Sequence, residues 1–348
     1  AAAAAAGLAA ARCAGGARPG QGTPAKPGSK PPLFMLVDGH GCLYQSYYAT
    51  KRSDEENQEQ KACNAHGQPN GAVIGFIEML LRFQRHFDIT HFAVMMDAEN
   101  AANTRRALFP DYKIDRDTPE ELRRQFFKAR EACDALGVHW HESAGYEADD
   151  LINTYVQEVS KDTDVCIVSA DKDFVQLVGP RVRLHSPKKV AREQHFMDVA
   201  AAREKWGVEP SQMVSLLAMT GDATDSIPGI PGIGRKKAAS LLQVYGDLQC
   251  VLDAAERGPL QAKGVGPKLR ESIRTSHEQV RTNEKLLRLM EVPGLNIGDW
   301  RGQCKAVNWD QQWYDRVKAF SDQENMQGLG QTLQFVRRKI MSSSVRSR

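Results

Sequence analysis

Leu33-Phe34-Met35-Leu36-Val37-Asp38-Gly39 is the stretch on which the fold turns. Five consecutive apolar residues read as a buried strand, and the run stops at an acid followed by a glycine. The pattern recurs twice: Phe92 to Met96 stops at Asp97, and Val165 to Val168 is followed by Asp171 and Asp173. Between the runs lie helical periods at roughly 71–87, 119–136 and 146–159. Strand and helix in alternation predict an α/β fold with a parallel sheet. Right-handed crossovers place the carboxyl ends of the strands on one edge, the edge at which open α/β sheets bind ligands. The three strand-terminal acids are therefore expected to converge.

The third helical period opens on Tyr146-Glu147-Ala148-Asp149-Asp150. Acids in a first turn complement the helix dipole, but three in four residues exceed what capping requires. Glu147 and Asp150, spaced i and i+3, share a face, and Asp149 lies to one side of them. Thr220-Gly221-Asp222-Ala223-Thr224-Asp225 repeats the i, i+3 spacing. Each acid taken singly reads as a solvated side chain. Together Asp38, Asp97, Glu147, Asp149, Asp150, Asp171, Asp173, Asp222 and Asp225 are too many like charges for one crevice, repelling by on the order of several kcal/mol unless cations neutralise them. Oxygen-only ligands suit hard divalent ions, two Mg²⁺ or Mn²⁺, and such a pair hydrolyses phosphodiesters without a histidine base. His139 and His141 alternate around Trp140 after a helix and read as an ordinary strand rather than metal ligands.

Ile227 to Leu242, with Pro231-Gly232-Ile233-Gly234-Arg235-Lys236-Lys237 at its centre, reads as a helix-hairpin-helix. The glycines let the backbone approach a phosphate, the following helix offers free N–H groups, and Arg235, Lys236 and Lys237 add charge. Such a hairpin grips backbone and reads no bases, so it predicts structure-specific binding. Lys263-Gly264-Val265-Gly266-Pro267-Lys268 reads equally as a weaker second copy or as a plain turn. Arg105, Arg106, Lys113 and Arg116 follow the second strand run and are expected beside the acids, where cations steer phosphate or stabilise transition-state charge.

The net charge of +3 is uneven. Residues 1–32 carry Arg12, Arg18, Lys26 and Lys30 and no acid; without those four of the 46 cations, 42 remain against 43 acids, a balance of −1. Nucleic-acid binding must then rest on local patches. The leader's Ala, Gly and Pro cannot bury enough surface to order, and its composition resembles an organelle transit peptide, which predicts a chloroplast or mitochondrion; a plain disordered tail would leave the protein otherwise intracellular. Seven scattered cysteines with no C-x-x-C pair suggest neither a disulfide framework nor a zinc site. No apolar run is long enough to span a membrane. After about residue 205 the pattern is helical, and residues 321–348 read as a frayed tail.

These blocks, with Leu36-Val37-Asp38-Gly39-His40, Tyr112-Lys113 and Ser169-Ala170-Asp171-Lys172-Asp173, occur in order over about residues 33–290. The ordered set resembles the 5′-nuclease domain of bacterial DNA polymerase I, phage 5′ nucleases and, more remotely, flap endonucleases. The resemblance implies a PIN-like parallel-sheet core at 33–204, a helical arch, and a helix-hairpin-helix subdomain at 205–320. It implies a monomeric 5′-3′ exonuclease and flap endonuclease that cuts branched, nicked or flapped DNA and RNA-primed 5′ ends in replication and repair. By position, Asp38, Asp97, Glu147, Asp149 and Asp150 resemble ligands of a first metal, and Asp171, Asp173, Asp222 and Asp225 those of a second. Arg105, Lys113 and Arg116 resemble basic residues that approach the scissile phosphate. Tyr44 resembles a tyrosine that stacks on the neighbouring base, although a core tyrosine fits its spacing from Asp38 equally. Gly232, Ile233 and Gly234 resemble a hairpin whose carbonyls hold K⁺. No polymerase sequence follows, which suggests a stand-alone nuclease or a processed piece of one, and Ser53–Asn70 is longer and more polar than the resemblance predicts. A non-catalytic DNA-junction binder of the same fold is the alternative; an RNA-directed PIN-like nuclease would need only the first acids and no hairpin.

Overall fold

A computed structural model describes residues 32–57, 62–114, 117–189, 192 and 195–346. The leader and Arg116 therefore lie outside the described residues. Strand β1 (Leu33–Asp38) runs into α1 (Gly39–Asn57), followed by α2 (Gly71–His86), β2 (Ile89–Met95), the short α3 (Asn103–Arg106), α4 (Glu120–Leu136), β3 (His139–His141) and α5 (Ala148–Val159). Next come β4 (Asp164–Val168), β5 (Val182–His185) and β6 (Phe196–Met197). The rest of the described chain is helical: α6 (Val199–Trp206), α7 (Met213–Thr220), α8 (Arg235–Tyr245), α9 (Leu248–Arg257), α10 (Pro267–Thr275), α11 (His277–Leu287), α12 (Trp300–Gln303), α13 (Gln311–Gln323) and α14 (Gly330–Arg346).

The sheet has the order β3-β2-β1-β4-β5-β6, parallel throughout except for β6, which pairs antiparallel with β5. Period-2 alternation explains why its central strands are apolar on both faces. Phe34, Leu36, Ala93, Met95, Val165 and Ile167 face one buried cluster with α5 and the later helices. Met35, Val37, Phe92, Val94, Cys166 and Val168 face the other, with α1, α2 and α4. Helix α2 follows from Val73, Phe76, Ile77, Leu80 and Leu81, all buried at helical spacing, and ends on Arg85 and His86 near its dipole's negative end. Helix α4 begins after Pro119 with Glu120 and Glu121 and is stopped by Gly137 at φ 68°.

Strands β5 and β6 escape a sequence reading because they are four and two residues long and are held by pairing, β5 to β4 and β6 to β5, rather than by an apolar run. The segment expected as a helical arch holds, among its described residues, only α3 and a series of turns before α4. The expected frayed tail is corrected: α14 is helical to Arg346, and Leu333 and Val336, three residues apart, are buried in the core. Its Ser- and Arg-rich end concealed that short apolar face. Helix α13 clasps the end of α4, with Trp313 Nε1–H donating to the Leu136 carbonyl at 2.9 Å and Arg316 Nε–H to that of Ala135 at 2.6 Å. Part of the polar 53–70 segment docks here too, as Asn70 Nδ2 donates to the Glu324 carbonyl. No helix among the described residues is long and apolar enough to cross a membrane.

Candidate active site

Strand ends bring Asp38 and Asp97 to the predicted edge, and there a cavity of about 270 Å³ is lined by Asp38, Asp97, Lys113, Asp149 and Asp171 together with His40, Tyr44 and Thr224. Asp38 is held from two sides: Gly41 N–H donates to Oδ1 at 2.8 Å and the Ser169 hydroxyl to Oδ2 at 2.7 Å. Asp97 Oδ1 accepts from Ala148 N–H at 2.8 Å, so the acid ending β2 also orients the start of α5. Asp171 accepts from Asp173 N–H through Oδ1.

A second group lies beside the first. One carboxylate oxygen from each of the buried Asp173, Asp222 and Asp225 falls within 4.8 Å of the others. The three come from the short turn after β4 and the loop after α7, far apart in sequence. Lys172 Nζ reaches Asp222 Oδ2 at 2.6 Å and supplies part of the missing positive charge. Asp173 Oδ1 is buried with no hydrogen-bond partner among the described residues. A buried, unsatisfied carboxylate oxygen beside two further carboxylates fits a hard cation, whose ligands are oxygens of this kind.

Electrostatics join the two groups. Burial raises the carboxyl pKa of Asp38, and Asp171 and Asp97 raise it further against the hydrogen bonds of Ser169 and Gly41. Asp149 is held well above the usual range by burial, with Asp38 and Asp171 adding to it against Lys113. Asp173 is raised in the same way by burial and then by Asp171. Asp171 acts on all three, standing between the two groups. Such mutual elevation is what a cation site looks like before its cation is counted.

The predicted set does not stay together. Glu147 and Asp150 face away from the crevice onto Arg105, which donates through Nη1 and Nη2 to Asp150 at 2.8 and 2.7 Å and through Nη1 to Glu147. Arg105 is 3% exposed, and its Nε–H donates to the Leu286 carbonyl. Burial alone would weaken its charge, but Asp150 and Glu147 more than offset that and raise its pKa. The expectation that Arg105 approaches a phosphate is corrected: its donors are taken up inside the protein. Asp150 has both oxygens occupied, Oδ1 accepting also from Met290 N–H. Lys113 lines the crevice, and its Nζ donates to Glu147 Oε1 at 2.6 Å.

Tyr44 lines the crevice with its hydroxyl bonded to that of Thr118. Beside it the His40 ring stacks on Phe126, centroids 4.8 Å apart, and His40 Nε2 lies 3.6 Å from Asp97 Oδ2. Sequence reasoning missed His40, Ser169, Lys172 and Phe126 as neighbours of the acids. His40 and Ser169 were legible in principle, being residues just past a strand's carboxyl end; Phe126 was not.

The hairpin forms between α7 and α8. Gly232 takes φ 83°, and Gly234 is the extended N-cap of α8. Ile233 is buried, while Arg235 and Lys236 are exposed at the start of α8 and Lys237 Nζ donates to the Gly232 carbonyl at 2.9 Å. A side chain at Gly229 would collide with the Thr220 carbonyl, so the hairpin needs glycine there. Gly264 at φ 78° and Gly266 as the extended N-cap of α10 repeat the backbone geometry of Gly232 and Gly234.

Residues 33–207 match the family described as "5′-3′ exonuclease, N-terminal resolvase-like domain", and residues 208–306 that described as "5′-3′ exonuclease, C-terminal SAM fold". The chain is 40% identical over 274 residues to DNA polymerase I of Rhizobium leguminosarum, covering 75% of this chain and 25% of that protein. To DNA polymerase I of Deinococcus radiodurans it is 36% identical over 255 residues, covering 72% and 25%. The chain thus spans about a quarter of the length of these polymerases. Among solved structures, the bacteriophage T5 flap endonuclease in complex with DNA and metal ions shares the fold with a TM-score of 0.56 at 21% identity, over 84% of this chain and 99% of that one. The matched polymerases are bacterial, which overturns the expected chloroplast or mitochondrial destination.

Proposed function

The chain belongs to the 5′-3′ exonuclease family, and from that premise we propose that it is a divalent-metal-dependent 5′ nuclease. Its substrates are DNA 5′ ends and flaps, including RNA-primed ends, in replication and repair. The observation that carries this reading is the meeting of Asp38, Asp97, Asp149 and Asp171 around one cavity beside the buried Asp173, Asp222 and Asp225. In this assignment Asp38, Asp97 and Asp149 hold a first ion, Asp173, Asp222 and Asp225 a second, and Asp171 faces both. Magnesium or manganese, when bound, supplies a water of lowered pKa and a counter-charge for the leaving oxygen.

Glu147 and Asp150 serve from behind. They fix Arg105 and, through Glu147, aim the Lys113 ammonium at the crevice, where it meets phosphate charge. The wall of His40, Tyr44 and Phe126 offers ring faces to an unpaired base. Residues 33–204 carry the chemistry and 205–320 the grip. In the latter, Gly232, Ile233, Gly234, Arg235, Lys236 and Lys237 hold duplex backbone without reading sequence, with K⁺ bound at the hairpin carbonyls. The enzyme acts as a monomer.

The test is cleavage of a 5′-labelled flap duplex with magnesium, with EDTA, and by the Asp171→Asn variant. Metal-dependent release of a flap-length oligonucleotide, lost in the variant, is the expected result. Tight binding with no cleavage in any condition would make the chain a junction-binding protein instead.

A further inference from the structure

Lys172 stands in the chain between two acids of the site, Asp171 and Asp173, at the start of the short turn Asp173–Leu177. Its ammonium is spent on a third acid: Nζ donates to Asp222 Oδ2 at 2.6 Å, and Asp222 is its one carboxylate partner among the described residues. Asp222 Oδ1 is already engaged, accepting from Thr224 N–H at 3.1 Å as the cap of the turn Ala223–Asp225. Oδ2 is thus the oxygen that Asp222 has left for an ion, and an ammonium sits on it. The carboxylates of Asp173, Asp222 and Asp225 outnumber that ammonium, and Asp173 Oδ1 stays buried without a hydrogen-bond partner among the described residues. One charge answers part of the group and no more.

Lys113 is a different case. Its side chain is 9% exposed, its Nζ donates to Glu147 Oε1, and it lies 5.0 Å from the Tyr112 ring centroid. The side chain of Lys172 is 31% exposed. It has a route to solvent, a four-carbon stem that can turn, and a single charge-assisted bond to give up. An ammonium and a divalent ion on the same carboxylate oxygen repel each other at close range, so the two occupy it in turn and not together.

Resting on the metal reading above, we propose that Lys172 is an internal stand-in for the second metal ion: its ammonium holds Asp222 Oδ2 in the metal-free protein and swings out to solvent when a divalent ion is bound by Asp173, Asp222 and Asp225. The stand-in lets three buried carboxylates face one another without metal. It also sets the metal concentration at which the second position fills. Lys172 is a positioning residue, acting through Asp222.

The test reads the amine itself. The full chain, free of DNA, is exposed briefly to an amine-acylating reagent in EDTA or in saturating Mg²⁺, and labelling at each lysine is measured by mass spectrometry. Lys172 is expected to label about tenfold faster in Mg²⁺, the protection that one charge-assisted hydrogen bond confers. Lys236, exposed at the start of α8, should label alike in both conditions, and Lys113 should stay protected in both. A Mn²⁺ titration, with the free ion followed by electron paramagnetic resonance, gives the second measure. Lys172→Met should bind the second ion about tenfold tighter than the wild type, since no ammonium has to leave, with the first ion's affinity changed far less. Labelling of Lys172 that ignores bound Mg²⁺ overturns the proposal, as does a second Mn²⁺ affinity no tighter in Lys172→Met, and both leave the metal reading in place. A wild type that binds no Mn²⁺ overturns the metal reading and this proposal together.

Discussion

Helix α5 opens on two carboxylate environments within four residues. On one side Glu147 and Asp150 are buried and closed onto Arg105 and Lys113. On the other, Asp149 looks into a cavity shared with Asp38, Asp97 and Asp171, where Lys113 is the one lysine or arginine lining it among the described residues. The i, i+3 pair and the acid between them separate because a helix turn points them to different faces. The number of acids in a motif therefore does not give the number of metal ligands. What assigns an acid is how fully cations already answer it: carboxylates whose oxygens are taken up by a guanidinium make a brace, and a cluster that outnumbers the cations beside it makes an ion site.

The largest expected break in that comparison is on the unanswered side. Asp173→Asn should lower single-turnover cleavage on the order of a thousandfold, the several kcal/mol that a metal ion supplies, while flap binding in EDTA is retained. Full activity would strike Asp173 from the ligands. On the answered side, Arg105→Met leaves Glu147 and Asp150 buried without their guanidinium and should cost about 3–5 kcal/mol of stability, read from the denaturant midpoint. Asp149→Asn, by contrast, should leave the metal-free protein as stable as before or more so. A large loss in Asp149→Asn would show that both sides are braces.

The raised pKa values of Asp38, Asp149 and Asp173 sharpen the contrast through pH. An acid whose folded pKa is raised binds more protons folded than unfolded, so its contribution to stability falls as pH rises from its ordinary value of 3.8 to the raised one. The metal-free protein should then lose melting temperature across that window, and added magnesium should restore more of it the higher the pH, because metal displaces those protons. A magnesium effect independent of pH would contradict this, and Asp149→Asn should flatten the metal-free slope. The smallest effect is at the hairpin: Lys236→Ala with Lys237→Ala should weaken binding to all sequences alike and reduce the salt slope by about 2. An unchanged slope would move the DNA grip elsewhere.

Much of this was legible in the sequence because its signals are local. Three apolar runs ending in acids give β1, β2 and β4, and Gly232-Ile233-Gly234 gives its turn. Asp38, Asp97, Asp149 and Asp171 meet as strand order and crossover handedness require. What was not legible is pairing across the chain. Nothing near Arg105 says that Glu147 and Asp150, more than 40 positions on, will enclose it. Nor does anything near Phe126 place it on His40. The same blindness explains the tail, whose helix packs on α13 and the turn that precedes it.

The clasp of α13 on α4 has a consequence for exchange and cleavage rather than chemistry. The last carbonyls of α4 are closed by Trp313 and Arg316, 177 and 181 positions away in sequence. Hydrogen exchange at the far end of α4 is therefore tied to the lifting of α13 and not to fraying of α4 alone. The family match ends at residue 306, before α13 begins. A protease that severed the chain there would release the latch on the helix whose other end, near Thr118 and Phe126, forms the wall of the crevice.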